Sequence, residues 1–131
     1  MKEISFNKIC QYIPHRPPTL LINKVEIYSV KSGRGFYTQN TTLPILRLME
    51  GIFQTAGVIR NYHLYPVQNA EKRLLSIVND VKLFCDMDDL SGDYIFEVNF
   101  VKLSKKFDQF TGIIYLGDNA LLTCNAFCGG F

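Results

Sequence analysis

The stretch Leu43-Pro44-Ile45-Leu46-Arg47-Leu48-Met49-Glu50-Gly51-Ile52-Phe53-Gln54-Thr55-Ala56-Gly57-Val58-Ile59-Arg60-Asn61 decides the fold. It is the only long helical pattern in a chain otherwise patterned for strands. Ile45, Leu48, Met49, Ile52, Phe53, Ala56 and Ile59 leave it apolar around most of its circumference, which predicts a buried core helix. It is too short to span a bilayer comfortably, and Arg47, Glu50 and Gln54 interrupt it. Glu50 and Gln54 are four apart and share a face, and Arg47, three before Glu50, is close enough to pair with it. Gly51 and Gly57 each cost the helix on the order of 1 kcal/mol against Ala. A glycine inside a helix points to another backbone or a ligand coming close.

Composition narrows the class. The 131 residues fit one domain, taken here as 1–131. A hydrophobic share of 47% with 20% charged residues is that of a soluble globular protein. A net charge of +2 gives little support to nucleic-acid binding. No stretch reads as a membrane span, and Met1-Lys2-Glu3-Ile4-Ser5 lacks the apolar run of a signal peptide, so a cytoplasmic protein is expected. Cys10, Cys85, Cys124 and Cys128 form no C-x-x-C pair, and the two histidines are far from them, so no metal or cofactor is expected. Cys124 and Cys128 share one side of a strand and read as packed, reduced thiols.

Outward from the helix, the chain alternates short elements and turns. Phe6, Ile9, Cys10 and Ile13 predict an amphipathic helix over Ser5–Ile13, capped by Ser5. Pro14-His15-Arg16-Pro17-Pro18 is a stiff loop, because each proline fixes its own backbone and biases its predecessor toward extended geometry. Strands are predicted over Thr19–Val30, Gly35–Asn40, Leu74–Phe84, Tyr94–Ser104, Phe107–Leu116 and Ala120–Phe127, with a turn at Lys31-Ser32-Gly33 and a last hairpin across Gly117-Asp118-Asn119. Tyr62–Arg73 reads as a polar connection, and the acids of Asp86–Asp93 as a solvated turn lacking the spacing and terminal glutamate of a calcium loop. Strands in succession with one central helix make an α+β fold, a curled antiparallel sheet of about six strands around the helix.

Two segments carry a family resemblance. Ile13-Pro14-His15-Arg16-Pro17-Pro18-Thr19-Leu20-Leu21-Ile22-Asn23-Lys24-Val25 resembles the N-terminal motif of the FabZ-type 3-hydroxyacyl-acyl-carrier-protein dehydratases, a Pro-His-Arg loop followed by an apolar strand. Glu50-Gly51-Ile52-Phe53-Gln54-Thr55-Ala56-Gly57 is similar to that family's Glu-Ala-Leu-Ala-Gln-Ala-Ala-Gly, with Pro44 at the family's proline. The resemblance implies the hot-dog fold, usually dimeric with acyl tunnels at the dimer interface, and removal of water from an acyl thioester. A histidine takes the C2 proton, a glutamate of the other subunit's central helix protonates the leaving hydroxyl, and helix-terminal amides polarise the thioester carbonyl.

The chain departs from that pattern. The family's His-Phe-Pro-Gly loop before the helix is missing: Thr41-Thr42-Leu43 runs straight into Pro44, and Ile45 stands where glycine is expected. Glu50 and His15 are therefore the candidate catalytic residues, with Gln54, Ile45 and Gly51 expected beside the substrate. Against these roles, Glu50 is equally placed to pair with Arg47, and His15 to brace the proline loop. Gln54 orients Glu50 or satisfies buried backbone, and His63 reads as a surface residue. Arg16, Lys102, Lys105 and Lys106 suit either an acidic carrier protein or solvent. Three functions remain open. The first is a dehydratase homologue with a degenerate site, acting on or binding acyl thioesters of acyl carrier protein or coenzyme A in fatty-acid or polyketide/polyene biosynthesis. The second is a non-catalytic subunit pairing with an active hot-dog homologue or a carrier protein. The third is a thioesterase using Glu50 to direct water. The expected assembly is a homodimer or a heterodimer with another hot-dog protein, with no nucleic-acid or membrane partner.

Overall fold

The computed structural model describes residues 1–15, 19–38, 43–64, 73–84, 92–104 and 106–130. One antiparallel sheet contains every described strand: β1 (Lys2–Ser5), β2 (Lys24–Ile27), β3 (Ser32–Tyr37), β4 (Arg73–Leu83), β5 (Tyr94–Lys102), β6 (Phe107–Leu116) and β7 (Asn119–Gly130). Their spatial order is β1-β2-β3-β5-β6-β7-β4. Among the described residues there are two helices, α1 (Phe6–Ile9) and the 20-residue α2 (Ile45–Leu64). The sheet has seven strands where about six were expected. The added strand is β1, which pairs with β2 from Lys2↔Ile27 to Ser5↔Lys24. It has one buried residue, Ile4, too little for a visible alternation.

The inner face follows the sequence closely. Tyr94, Phe96, Val98 and Phe100 of β5 are all buried, as the period of two requires. Cys124 is buried and Cys128 packs half-buried against the same core. Burial pushes the Cys124 thiol up, against a smaller opposing pull from a backbone hydrogen bond at Gly112. The last hairpin turns through Gly117-Asp118, between the paired residues Leu116 and Asn119. Gly117 has φ +60°, the conformation a two-residue hairpin needs at its first central position.

Close approach by glycine seats α2 on the sheet. A Cβ on Gly35 of β3 would lie 2.0 Å from Thr55 Oγ1, and one on Gly112 of β6 would lie 2.5 Å from Ile52 Cγ2. From the helix side, a Cβ on Gly51 would lie 2.3 Å from the Phe96 ring. The helix packs over β2, β3, β5 and β6. Its C-terminal half is tied down on both flanks: Asn61 Nδ2 donates to the Tyr12 carbonyl, and Arg60 Nε donates to Asp108 Oδ2 at 3.0 Å. Asp108 is 1% exposed and also accepts the Ser104 N–H, so this pair fixes the β5–β6 turn to the helix.

Boundaries differ from the sequence reading where tertiary bonds compete. α1 is regular only over Phe6–Ile9, and the chain continues as turns to Ile13. Ser5 is its N-cap in backbone geometry without a side-chain cap bond. The predicted strand Thr19–Val30 shrinks to Lys24–Ile27, because Thr19 and Leu21 give backbone bonds to α2. The predicted turn at Lys31-Ser32-Gly33 falls slightly earlier, where Tyr28 N–H donates to the Ser32 carbonyl at 3.0 Å, and β3 begins at Ser32. α2 runs on to Leu64, past the predicted end. In β4 the expected alternation of Leu75, Ile77, Asn79, Val81 and Leu83 is broken by two bulges, between Leu75 and Ile77 and between Asn79 and Lys82.

The seating of α2 gives a direct test. Gly35→Ala forces its methyl into Thr55 and is expected to cost about 1–3 kcal/mol of stability, read as a lowered midpoint in urea unfolding with an unchanged slope.

Candidate functional site on the central helix

Arg47, Glu50 and Gln54 line one face of the N-terminal half of α2. Pro44 precedes the helix, and its carbonyl accepts the Leu48 N–H at 3.0 Å. Arg47 Nη1 lies 2.6 Å from Glu50 Oε2 and 2.7 Å from the Thr19 carbonyl oxygen. Gln54 Nε2 donates to the same carbonyl at 2.9 Å, and Gln54 Oε1 accepts the Leu21 N–H at 2.8 Å. One amide side chain, 2% exposed, thus satisfies the buried Leu21 N–H and the more exposed Thr19 carbonyl of the segment leading into β2. That segment is held because Leu20, Leu21 and Ile22 are core residues. Buried backbone groups outside a ladder need such partners.

The candidates separate by environment. Glu50 is 45% exposed at the side chain, and its described bond goes to Arg47. Gln54 takes the backbone-satisfying role of its two sequence readings. Gly51 is buried against Phe96, and Ile45 is half-buried against the core at the start of the helix. His15 is half-buried in the loop after α1, and no described hydrogen bond joins it to Glu50. His63 is exposed, with Nδ1 2.9 Å from the Ile59 carbonyl oxygen. Lys102 and Lys106 are exposed, the Lys102 ammonium lying 4.7 Å from the Phe107 ring centroid; Arg16 and Lys105 lie outside the described residues, as does most of the acidic Asp86–Asp93 turn. Among the described residues no cluster of His, Cys, Asp and Glu is arranged to hold a metal ion, and no helix is long and apolar enough to cross a membrane.

A second polar cluster, missed in the sequence, lies on the outer face of the sheet. Cross-strand neighbours Arg34 and Glu97 pair there, with Arg34 Nη2 2.9 Å from Glu97 Oε1, and Tyr115 reaches Glu97 Oε2 at 3.4 Å. Tyr28 donates to Glu26 at 2.7 Å. Tyr28, Ser32, Gly33, Arg34, Glu97 and Asn99 line an open depression of about 430 Å³. Desolvation, then the neighbouring carboxylates, raise both phenols, and the bond to Glu97 pushes the Arg34 guanidinium up from its ordinary value. The residues are distant in sequence and converge only through strand register, so periodicity carries no signal of them.

A curled antiparallel sheet wrapped on a central helix is the hot-dog fold, and the likeness to solved structures agrees. The chain is similar to a structure of the dehydratase heterocomplex ApeI:P from Xenorhabdus doucetiae, with a TM-score of 0.74 at 18% identity, covering 94% of this chain and 90% of that one. It is similar to an HP0420 homologue from Helicobacter felis, with a TM-score of 0.67 at 10% identity over 94% and 98% of the two chains. A thioesterase family protein from Silicibacter pomeroyi follows, with a TM-score of 0.61 at 10% identity over 82% of each chain. No protein-family model matches the chain. Such identities establish a shared fold, and one fold supports several chemistries.

Removing the amide of Gln54 tests the helix–segment bond. Gln54→Leu leaves the Leu21 N–H buried without its partner, for an expected loss of about 1–3 kcal/mol, with faster hydrogen exchange at Leu21 as the local readout.

Proposed function

We propose that this chain is a FabZ-like, dehydratase-type hot-dog subunit that binds acyl thioesters and has a site incomplete within one chain. The observation that carries the reading is Glu50: a half-exposed carboxylate on the central helix, held at one oxygen by Arg47. Dehydration by the family's route needs a base for the C2 proton and an acid for the leaving hydroxyl. Glu50 supplies one such group, and the other comes from His15 or from a second chain. The resemblance around Pro14-His15-Arg16 and Glu50–Gly57 supports acyl thioesters of a carrier protein or coenzyme A as ligands, in fatty-acid or polyketide/polyene biosynthesis.

The free edge of the sheet supports assembly with a second hot-dog chain. β4 is 11 residues long and, among the described residues, pairs on one side only, with β7. Ile77, Val81, Leu83 and the adjoining Phe84 are 55%, 45%, 51% and 59% exposed. A long apolar edge strand invites pairing with another strand. The bulges insert Ser76 and, at the other end, set Asp80 and Val81 against one residue of β7. Ser76 and Asp80 are equally far from Val78, so a two-fold axis at Val78 would set bulge against bulge and keep an antiparallel ladder in register. A copy of this chain or a homologue with the same edge meets that requirement. A dehydratase heterocomplex among the similar structures supports hetero-association.

Two experiments test the reading. The purified protein is expected to hydrate, or to bind without turnover, a short enoyl thioester of pantetheine, and Glu50→Gln is expected to abolish any turnover. Release of free thiol in place of hydration would favour the thioesterase. Sedimentation of the variant carrying Ile77→Lys and Val81→Lys is expected to show monomer where the unaltered chain is dimeric. A variant that remains dimeric would move the interface away from β4.

A further inference from the structure

The bonds around Arg47 reach beyond a simple ion pair. Its Nη1 donates both to Glu50 Oε2, at 2.6 Å, and to the Thr19 carbonyl, at 2.7 Å. The guanidinium is therefore anchored to the Thr19 carbonyl while it aims the Glu50 carboxylate. Arg47 is 24% exposed at the side chain against 45% for Glu50, so the cation sits on the protein side and the carboxylate on the solvent side. Gln54 grips the same carbonyl without a described bond to Glu50. Two residues on one helix face thus share an anchor but differ in what they hold.

We propose that Arg47 is a positioning residue for Glu50: anchored on the Thr19 carbonyl, it occupies Oε2 and turns Oε1 alone toward a ligand, so that Glu50 meets the hydroxyl of a 3-hydroxyacyl thioester as a single-oxygen hydrogen-bond acceptor. This rests on the reading of Glu50 as ligand-facing and specifies how it faces. Charge-assisted bonds from a planar guanidinium fix direction as well as distance. A carboxylate free of that bond would swing between rotamers, as an exposed glutamate does on a helix surface. The anchor also links the site to the loop bearing His15, since Thr19 begins the segment directly after Pro18.

Carbodiimide coupling of Glu50 to an amine, read by mass spectrometry of the digested full-length protein, tests this without any turnover. Arg47→Met is expected to speed Glu50 labelling by about two- to fivefold, the range an ion pair of this exposure carries. Arg47→Lys should restore part of the protection, since lysine supplies the charge without the planar fork. Gln54→Met is expected to speed hydrogen exchange at Leu21 yet leave Glu50 labelling unchanged. An unchanged rate in a folded Arg47→Met protein would overturn the proposal. So would equal acceleration in Gln54→Met, because loosening of the Thr19 segment would then govern Glu50. Enoyl thioester turnover, measured separately, reports on the functional reading alone, so a protein inactive toward thioesters still answers the positioning question.

Discussion

The close seating of α2 on its sheet is the constraint on which the other features rest. Gly35 and Gly112 let Thr55 and Ile52 descend to the strand backbones, and Gly51 lets the helix meet the Phe96 ring. Side chains at these points would lift the helix and open voids that a packed interior does not tolerate. At the closer distance Gln54 reaches the backbone of Thr19 and Leu21. Raised by even one methyl group, the helix would lose those bonds and strand the buried Leu21 N–H. The glycines therefore serve the polar face of the helix as much as its apolar one.

The two halves of α2 divide the labour. The C-terminal half is an anchor, with Asn61 on the Tyr12 carbonyl and the buried Arg60–Asp108 pair at the β5–β6 turn. The N-terminal half carries the exposed carboxylate and its arginine. Fixing one end firmly allows the other to present a charged group at a defined place. The Arg47 bond to the Thr19 carbonyl and the Gln54 bond to the Leu21 N–H together keep Thr19–Leu21 out of the β2 ladder. A local loss of strand is thus the structural counterpart of the site.

Chain order in the sheet places the other prominent surface. α2 follows β3 in the middle of the sheet, yet the next strand, β4, sits at the far edge beyond β7. The helix covers β2, β3, β5 and β6 and leaves the β4 end with apolar side chains in solvent. A bulged edge strand bends and resists pairing at random. In the assembly proposed above, bulges spaced evenly about Val78 would ask for a strand with matching irregularities.

The sequence by itself determined the central helix, the inward residues of β5 and the final hairpin, and it put Arg47 within reach of Glu50. Each rests on residues close in sequence, where periodicity, a turn glycine or a three-residue helical spacing carries the signal. It also located the motif resemblance that led to the hot-dog fold. Tertiary structure decided the rest. β1 is held by the edge that β2 offers it, and β2 begins late where Gln54 and Arg47 take the backbone before it. The phase of β4 turned on bulges against β7, and the Arg34–Glu97–Tyr115 cluster on cross-strand register. Those partners lie tens of residues apart, and a hydrogen bond or a register is a property of two segments together. Local patterns record which face of a segment is apolar; they do not record which distant backbone group will claim its donors and acceptors.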